Sequence, residues 1–301
     1  MNGKRIVVIG GVAGGAACAS RCRRLDENAR IVIIDRGPYV SFANCGLPYY
    51  VGDVIRDESK LLVANAALFQ HRFNIEVLTQ HEAVAIDRAA REIEVKELST
   101  GRIYRESYDA LVLSPGAAAV RPPLPSVDLP GIFVLRSIPD SRRIRAWISE
   151  KNAKSAVIVG AGFIGLEMAE NLVNRGLSVT VVEILDQVMP PFDFEMARPV
   201  QEHLEKHGVN MALGDGVAGF ESDAGQIVVN TKSGARHVGD LVILAIGVRP
   251  ETALAKSAGL EIGERGGNAT EIASRGAQRL AAALKNSQET DYYFGLPSPG
   301  Q

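Results

Sequence analysis

Residues 156–165 read AVIVGAGFIG, an apolar run that ends in glycines spaced as G-x-G-x-x-G. A second apolar run, LSVTVVE, follows at residues 177–183 and ends in an acid. A buried strand, a glycine turn, a helix and a second strand in this order place a pyrophosphate at the N-terminus of the helix. The stretch therefore predicts a dinucleotide-binding unit of the Rossmann type, whose three glycines are Gly160, Gly162 and Gly165.

The acid that ends the second strand predicts which nicotinamide cofactor is used. Glu183 comes 18 residues after Gly165, where a carboxylate accepts hydrogen bonds from a free ribose 2'-hydroxyl and repels a 2'-phosphate. Residues 184–187 read ILDQ and contain no base. We therefore expect NADH to be preferred over NADPH.

A related unit lies near the N-terminus, where residues 5–15 read RIVVIGGVAGG. Gly10 and Gly15 take the first and third glycine places, but Val12 takes the second. Asp35 follows Gly15 by 20 residues, at the end of a second apolar run. This spacing predicts a second dinucleotide site with a modified turn; the remaining turn residues are Gly11, Ala13 and Gly14.

The two units also end alike, each in a buried strand followed by a glycine. Residues 108–116 read YDALVLSPG and residues 240–247 read DLVILAIG. A chain of 301 residues exceeds what one hydrophobic core usually supports. The sequence therefore predicts an α/β protein with two Rossmann-like, three-layer domains.

Net charge, the length of apolar runs and the cysteine count argue against several classes of protein. The formal net charge of -2 offers no basic surplus for nucleic acid. No apolar run approaches the roughly 18 residues needed to span a bilayer, so neither nucleic acid nor a membrane is expected as a partner, and a cytoplasmic location is expected. Three cysteines suit neither a disulfide scaffold nor a metal site.

One cysteine stands in a distinctive segment between the two glycine turns. Residues 41–50 read SFANCGLPYY, with Cys45 near the centre. A lone thiol placed there suggests redox chemistry. The other two, Cys18 and Cys22, together with Leu25, are predicted to form an inward stripe of the first helix rather than a redox pair.

These motifs together resemble the flavin-dependent pyridine nucleotide-disulfide oxidoreductases, in the branch of coenzyme A disulfide reductases, NADH oxidases and NADH peroxidases. The likeness runs from about residue 4 to about residue 267. It implies an FAD domain at 1–118, an inserted NAD(P)H domain at 119–247, a return segment at 248–267 and a divergent tail at 268–301. It also implies a catalytic Cys45 and these cofactor-binding residues: Gly10, Gly11, Val12, Ala13, Gly14, Gly15, Asp35, Arg36, Val84, Ser114, Gly116, Gly160, Gly162, Phe163, Ile164, Gly165, Glu167, Glu183 and Gly247.

The resemblance leaves three oxidised partners open for Cys45. Relatives with two cysteines space them C-x4-C, but Tyr50 takes the second place here, so Cys45 pairs with a molecule outside the chain or is itself oxidised. Coenzyme A disulfide, dioxygen and peroxide, the last through a sulfenic acid, are the alternatives. Ala13 stands where many oxidases and peroxidases carry histidine, which favours coenzyme A disulfide. The implied substrate-binding residues are Ala17, Arg21, Arg24, Ser41 and Asn44.

The likeness to the family ends near residue 267. We expect the second flavin-binding segment and the C-terminal interface domain to be absent, so the homodimer typical of the family lacks its usual contact surface. A silent, nucleotide-binding remnant is therefore a third hypothesis. A helix is predicted at 270–286 and an exposed tail at 292–297.

Overall fold

The computed structural model describes residues 3–263 and 291–293 of the chain, which folds into two compact units. The first unit takes its residues from 1–42, 62–117 and 250–301, and the second from 43–61 and 118–249. The chain thus passes twice into the second unit, first for residues 43–61 and then for residues 118–249, and each time returns to the first.

The first unit is built on a five-stranded parallel sheet with the order β18-β7-β1-β2-β3. Numbered along the chain, its strands are β1 (Arg5–Ile9), β2 (Arg30–Asp35), β3 (Ile75–Thr79), β4 (His81–Asp87), β5 (Glu92–Glu97), β6 (Ile103–Ser107), β7 (Ala110–Leu113) and β18 (Asp291–Tyr293). Its helices are α1 (Gly14–Leu25), α3 (Ala66–Phe73) and α7 (Ala253–Ser257). Strands β4 to β6 form a separate antiparallel meander.

The continuous apolar runs of this sheet follow from burial on both faces. Ile6 and Val8 of β1 pack with Cys22 of α1 and Phe69 of α3. Val7, between them in sequence, packs on the opposite face with residues of the meander. Helices, sheet and meander therefore form three layers.

The second unit repeats this plan, with the parallel order β12-β11-β10-β16-β9. Its strands are β9 (Ile132–Val134), β10 (Ser155–Val159), β11 (Ser178–Val182), β12 (Val209–Ala212), β13 (Val217–Asp223), β14 (Gln226–Thr231), β15 (Arg236–Gly239) and β16 (Leu241–Leu244). Its helices are α2 (Leu47–Val51), α4 (Ile138–Glu150), α5 (Phe163–Asn174) and α6 (Phe194–Lys206). Strands β13 to β15 form a meander over one sheet face, and α5 packs on β10 and β11. Where the chain passes between the units, β8 (Ala117–Ala119) pairs with β17 (Val248–Pro250).

The predicted α/β fold with two Rossmann-like, three-layer units is confirmed, with two differences in detail. Residues 43–61, placed with the first domain by sequence, pack in the second unit, because α2 lies against α4 and α5. Residues 291–293 form β18, which pairs with Leu111–Leu113 of β7. The sequence did not predict this strand, which begins one residue before the tail proposed at 292–297. The helix predicted at 270–286 lies outside the described residues.

One aspartate fixes the start of the central strand in each unit. The Asp109 carboxylate accepts a 2.7 Å hydrogen bond from the Arg5 amide at the start of β1. In the second unit the Asp240 carboxylate accepts hydrogen bonds from the amides of Lys154 and Ser155 at 2.8 and 2.9 Å, and from the side chain of Gln226 at 2.9 Å. Burial acts to raise the pKa of Asp240, but these hydrogen bonds together lower it.

Replacing Asp240 by alanine is expected to lower the free energy of unfolding by about 2 kcal/mol, because four donors lose a charged acceptor: the amides of Lys154 and Ser155, the Ser155 hydroxyl and the Gln226 side chain. A carboxylate with a lowered pKa stabilises the fold above its ordinary pKa, and that stabilisation disappears as the pH falls through the folded-state pKa. The difference from wild type should therefore shrink below about pH 4 in denaturant unfolding. Asp223→Ala, at a 68% exposed side chain, is the control; equal losses in both variants would contradict the prediction.

Candidate functional site

The first glycine turn joins β1 to α1 through contacts that leave no room for side chains at two of its positions. A Cβ at Gly15 would lie 1.7 Å from the carbonyl oxygen of Gly10. Gly10 has φ +91°, and its own Cβ would lie 2.0 Å from the Ser114 carbonyl oxygen. Of the four residues between Gly10 and Gly15, only Val12 and Ala13 have a side chain larger than a hydrogen atom, and Ala13 is exposed. The turn thus draws β1, α1 and the end of β7 together.

Asp35 fastens this turn to the end of β2. One carboxylate oxygen accepts a 2.7 Å hydrogen bond from the Gly11 amide, and the other accepts one from the Gly37 amide at 2.7 Å. Burial raises the pKa of Asp35, and the two amide bonds oppose that rise. The acid predicted to bind ribose therefore lies at the turn and also stabilises it.

The segment that leads toward the lone cysteine is tied to the same turn. Ser41, in the left-handed region at φ 45°, donates its amide to the Gly11 carbonyl at 2.9 Å. A Cβ at Gly14 would lie 2.7 Å from Ser114 Oγ. Gly116 follows β7 with φ +79°. The structure thus brings Ser41, Ser114 and the turn glycines to one end of the sheet.

Two other predicted cofactor-binding residues of the first unit are Arg36, which directly follows Asp35, and Val84. Arg36 forms a 2.7 Å ion pair with Glu251, which holds its guanidinium on the surface. Val84 occupies a bulge of β4, between Ala83 and Ala85, and is 38% exposed. A bulge changes the direction in which a side chain points from its strand, so the bulge accounts for the exposure of Val84.

In the second glycine turn, two glycines are needed for packing and a third, Gly162, faces open space. A Cβ at Gly165 would lie 2.0 Å from the carbonyl oxygen of Gly160, and one at Gly160 would lie 2.6 Å from that of Ala245. At Gly162, by contrast, a Cβ would meet no atom of the described residues within 4 Å. Packing therefore explains Gly160 and Gly165, whereas the absence of a side chain at Gly162 leaves the backbone open to a ligand.

Glu183 repeats the role of Asp35 at the end of β11. Its carboxylate accepts hydrogen bonds from the amides of Ala161, at 2.7 Å, and Leu185, at 3.0 Å. The loop that follows β11 returns to the turn, where the Met189 amide donates to the Ala161 carbonyl at 2.8 Å. Acid, turn and loop are therefore held together by backbone hydrogen bonds.

Sequence reasoning missed one aromatic partner in this loop. Phe163, the first residue of α5, is 50% exposed. Its ring packs edge to face with that of Phe192, and the two ring centroids are 6.0 Å apart. Gln187 fixes the loop by donating to the Phe192 carbonyl at 2.8 Å. The run MPPFDF at 189–194 was the available signal, since two of its three large apolar residues are exposed phenylalanines.

Three more predicted residues lie around the second turn. Ile164 and Glu167 are half-buried on the first turns of α5. Burial raises the pKa of Glu167, and the neighbouring Glu170 charge adds to the rise. Gly247 has φ +105°, and a Cβ there would meet no described atom within 4 Å.

Cys45 lies in a short 3-10 helix, Asn44–Gly46, that leads directly into α2. Its thiol is free and exposed. Beside it, the side-chain oxygen of Asn44 is buried and has no hydrogen-bond partner among the described residues. A buried acceptor without a donor is costly, so Asn44 fits a site completed by a polar ligand.

The predicted substrate residues of α1 share an exposed surface. Ala17, Arg21 and Arg24 are all exposed, which leaves two guanidinium groups available to anionic groups. The structure therefore agrees with the predicted orientation of this helix face.

The inward stripe predicted for α1 is only partly correct. Cys22 is fully buried, Cys18 is half-buried, but Leu25 at the last turn is 38% exposed, because the helix ends there. The two sulfurs lie 4.0 Å apart without a disulfide. The hydrogen bond to Cys22 and burial raise the pKa of Cys18, which disfavours a reactive thiolate.

Both turns suit the phosphates of a dinucleotide. Neither α1 nor α5 receives a side-chain cap at its N-terminus among the described residues, and neither has an acid in its first turn. Free amides at a helix N-terminus bind anions. Within residues 3–263 and 291–293, no group of His, Cys, Asp and Glu is arranged to hold a metal, and no helix is long and apolar enough to cross a membrane.

Gly162→Ala is expected to weaken binding of a nicotinamide dinucleotide, measured with NADH, about tenfold, because a methyl group would enter the space left open for phosphate. Its stability should change by less than about 0.5 kcal/mol. Gly165→Ala is the matched control: it should lower the melting temperature, since its methyl meets the Gly160 carbonyl. Calorimetric titration and thermal unfolding give the two values. Wild-type NADH affinity in Gly162→Ala would contradict this assignment.

Comparison with known proteins confirms the resemblance. The coenzyme A disulfide reductase of Staphylococcus haemolyticus is 34% identical over 263 residues, which are 87% of this chain and 58% of that protein. The chain thus spans less than two thirds of this curated relative.

Solved structures of similar proteins have the same fold as this chain. The crystal structure of reduced Bacillus anthracis CoADR-RHD is 46% identical, with a TM-score of 0.86, over 91% of this chain and 49% of that one. The NAD-dependent persulfide reductase from A. fulgidus is 38% identical, with a TM-score of 0.83, over 87% and 49%. Residues 4–275 match the family profile for pyridine nucleotide-disulphide oxidoreductase. The chain therefore belongs to the pyridine nucleotide-disulphide oxidoreductase family, which implies FAD and a nicotinamide cofactor.

Proposed function

We propose that this chain is an FAD-dependent oxidoreductase that takes electrons from NADH and reduces a small-molecule disulfide, coenzyme A disulfide, through Cys45. The observation that carries the proposal is the free, exposed Cys45 thiol beside the buried, unpartnered oxygen of Asn44. The coenzyme A disulfide reductase at 34% identity and the Bacillus anthracis structure at 46% identity support this substrate class.

The first unit would hold FAD. The turn amides of residues 10–15 would bind its pyrophosphate, and Asp35 would bind its ribose. Asp35 already accepts two amide hydrogen bonds at this end of the sheet, so its carboxylate is positioned there before a cofactor binds. In domain terms, we propose that residues 1–118 and 248–267 serve FAD and that residues 119–247 serve the nicotinamide cofactor.

The second unit would hold NADH. The open position at Gly162 admits the pyrophosphate, and the Glu183 carboxylate would meet the adenosine ribose. The residues after Glu183 are apolar and exposed, with Ile184 at 60% and Leu185 at 47%. A 2'-phosphate would find a carboxylate and no base, so NADH is the favoured cofactor.

In the proposed reaction, Cys45 is the one protein thiol whose bonds change. FAD, when bound, accepts a hydride from reduced nicotinamide and passes two electrons to sulfur. The Cys45 thiolate would attack one sulfur of the disulfide, which releases one thiolate and leaves a mixed disulfide on Cys45. Two electrons would break that bond, restore the Cys45 thiolate and release the second thiolate. Of the two protons that convert the released thiolates to thiols, one comes from solvent and the other is the hydrogen that left NADH as a hydride. One NADH, one proton and one disulfide yield NAD and two thiols.

The residues proposed to bind coenzyme A combine cations and short polar groups. Arg21 and Arg24 project from the exposed face of α1 and would pair with phosphates, while Ala17 leaves space beside them. Ser41 and Asn44 flank the approach to Cys45 in sequence, and the Asn44 oxygen accepts no described donor. A donor of the bound substrate would satisfy it.

Cys45→Ser is expected to reduce NADH-dependent reduction of coenzyme A disulfide by on the order of a hundredfold or more, because no other thiol forms the mixed disulfide. Flavin absorbance of the purified protein should remain. Cys18→Ala, at a half-buried thiol, is the matched control and should keep the wild-type rate. A full-length relative provides the positive control. Full activity in Cys45→Ser would overturn the assignment.

The same assay separates the alternatives. NADH consumption that depends on oxygen or peroxide and needs no coenzyme A disulfide would replace this function with an oxidase or peroxidase acting through a Cys45 sulfenic acid. A colourless protein that cannot be reconstituted with FAD would favour a silent nucleotide-binding remnant. Substituting NADPH for NADH should lower kcat/KM; equal values would contradict the role of Glu183.

A further inference from the structure

One carboxylate connects the segment that carries Cys45 to two helices of the second unit. The Asp53 carboxylate lies 2.6 Å from Arg145 Nη2 of α4 and 3.2 Å from Arg175 Nε at the end of α5. We call these three residues the Asp53 clamp. Its members come from three separate parts of the sequence.

The same two arginines also hold the end of α2. Arg175 donates to the Val51 carbonyl at 2.6 Å, and Arg145 donates to the carbonyls of Tyr50 and Ile55. The last carbonyls of a helix have no partner within the helix. Each guanidinium therefore serves both the Asp53 carboxylate and the backbone of the segment.

Aromatic and ionic contacts strengthen the attachment. The Arg145 guanidinium lies over the Tyr50 ring, 4.2 Å from its centroid, and the Tyr50 hydroxyl donates to Glu58 at 3.3 Å. Glu58 in turn meets two nitrogens of Arg142, at 2.7 and 3.0 Å. The segment is thus fixed to α4 at both Asp53 and Glu58.

The clamp is more enclosed than an ordinary surface ion pair. The side chains of Arg175 and Arg145 are 14% and 23% exposed, and that of Asp53 is 40% exposed. Burial lowers the pKa of Arg175, and the Asp53 charge opposes this change. Partial burial with several hydrogen bonds makes such a pair stronger than the exposed pairs that contribute little.

Backbone geometry shows how closely the segment is seated. A Cβ at Gly52 would lie 2.4 Å from the Asn171 side-chain oxygen of α5. Asp53 itself has φ 62°, a left-handed conformation that persists only where surrounding contacts hold it. The chain is therefore bent sharply where α2 ends, and the clamp holds the bend.

We propose that Asp53, Arg145 and Arg175 are positioning residues that fix the Cys45 thiol through α2; the inference rests on the proposed function. Cys45 lies in the turn immediately before α2, and α2 has five residues. The segment of residues 43–61 is too short to build its own core. A displacement at the clamped end of α2 is consequently transmitted to the thiol.

Arg145→Gln tests the proposal in the FAD-loaded full chain. Amide hydrogen exchange of residues 44–51 should accelerate about tenfold or more, because charged hydrogen bonds that hold the segment are lost. The kcat for disulfide reduction should fall about tenfold or more, while the Kd for NADH stays at the wild-type value. Arg145→Lys keeps a charge for Asp53 and should recover part of both losses.

Arg143→Gln is the matched control on α4, since Arg143 pairs with Asp140 of its own helix and is 68% exposed. It should leave exchange of residues 44–51 and kcat unchanged. If Arg145→Gln fails to fold, Asp53→Asn, which keeps the shape and removes the charge, provides the same comparison.

Exchange and kcat equal to those of Arg143→Gln would overturn the proposal. A uniform rise in exchange over the whole second unit would also overturn it, because it indicates general loss of stability. The exchange readout needs no turnover, so it remains valid if coenzyme A disulfide is the wrong substrate.

Discussion

Each unit depends on the close seating of one helix against the central strand through two glycines. Gly15 lies against Gly10 in the first unit, and Gly165 lies against Gly160 in the second. The contact brings the first turn of the helix to the end of the sheet, where the free amides and the acid of the neighbouring strand meet. Because any side chain at Gly15 or Gly165 would collide with a backbone carbonyl, the fold and the proposed nucleotide sites depend on the same two glycines.

Local patterns allowed most of the architecture to be predicted from sequence. Apolar runs located β1, β7, β10 and β16, since strands buried on both faces need no alternation, and glycine spacing located both turns. Spacing predicted that Asp35 and Glu183 follow the second strand of each unit, but it could not predict their bonds to the turn amides, because those depend on the carboxylate rotamers. The exposure of Leu25 depended on where the helix ends, and helix ends are poorly defined by periodicity.

The placement of residues 43–61 was beyond sequence reasoning for a different reason. It depends on Asp53, Arg145 and Arg175, which are up to 122 positions apart and belong to no periodic pattern. The Phe163 and Phe192 contact is similarly non-local. Tyr50 stands where dithiol relatives carry a second cysteine, and here its ring lies beneath Arg145. Tyr50, at the place of that second cysteine, thus helps to hold the segment that carries Cys45.

In the proposed reaction, two electrons pass from NADH to the sulfur of Cys45. The most direct measurement is the visible spectrum of the FAD-loaded protein during anaerobic titration with NADH. Wild-type protein should lose flavin absorbance and then develop a long-wavelength band from a thiolate beside the flavin, and Cys45→Ser should lose flavin absorbance without that band. An identical band in both proteins, or no response of the flavin to NADH, would contradict the account.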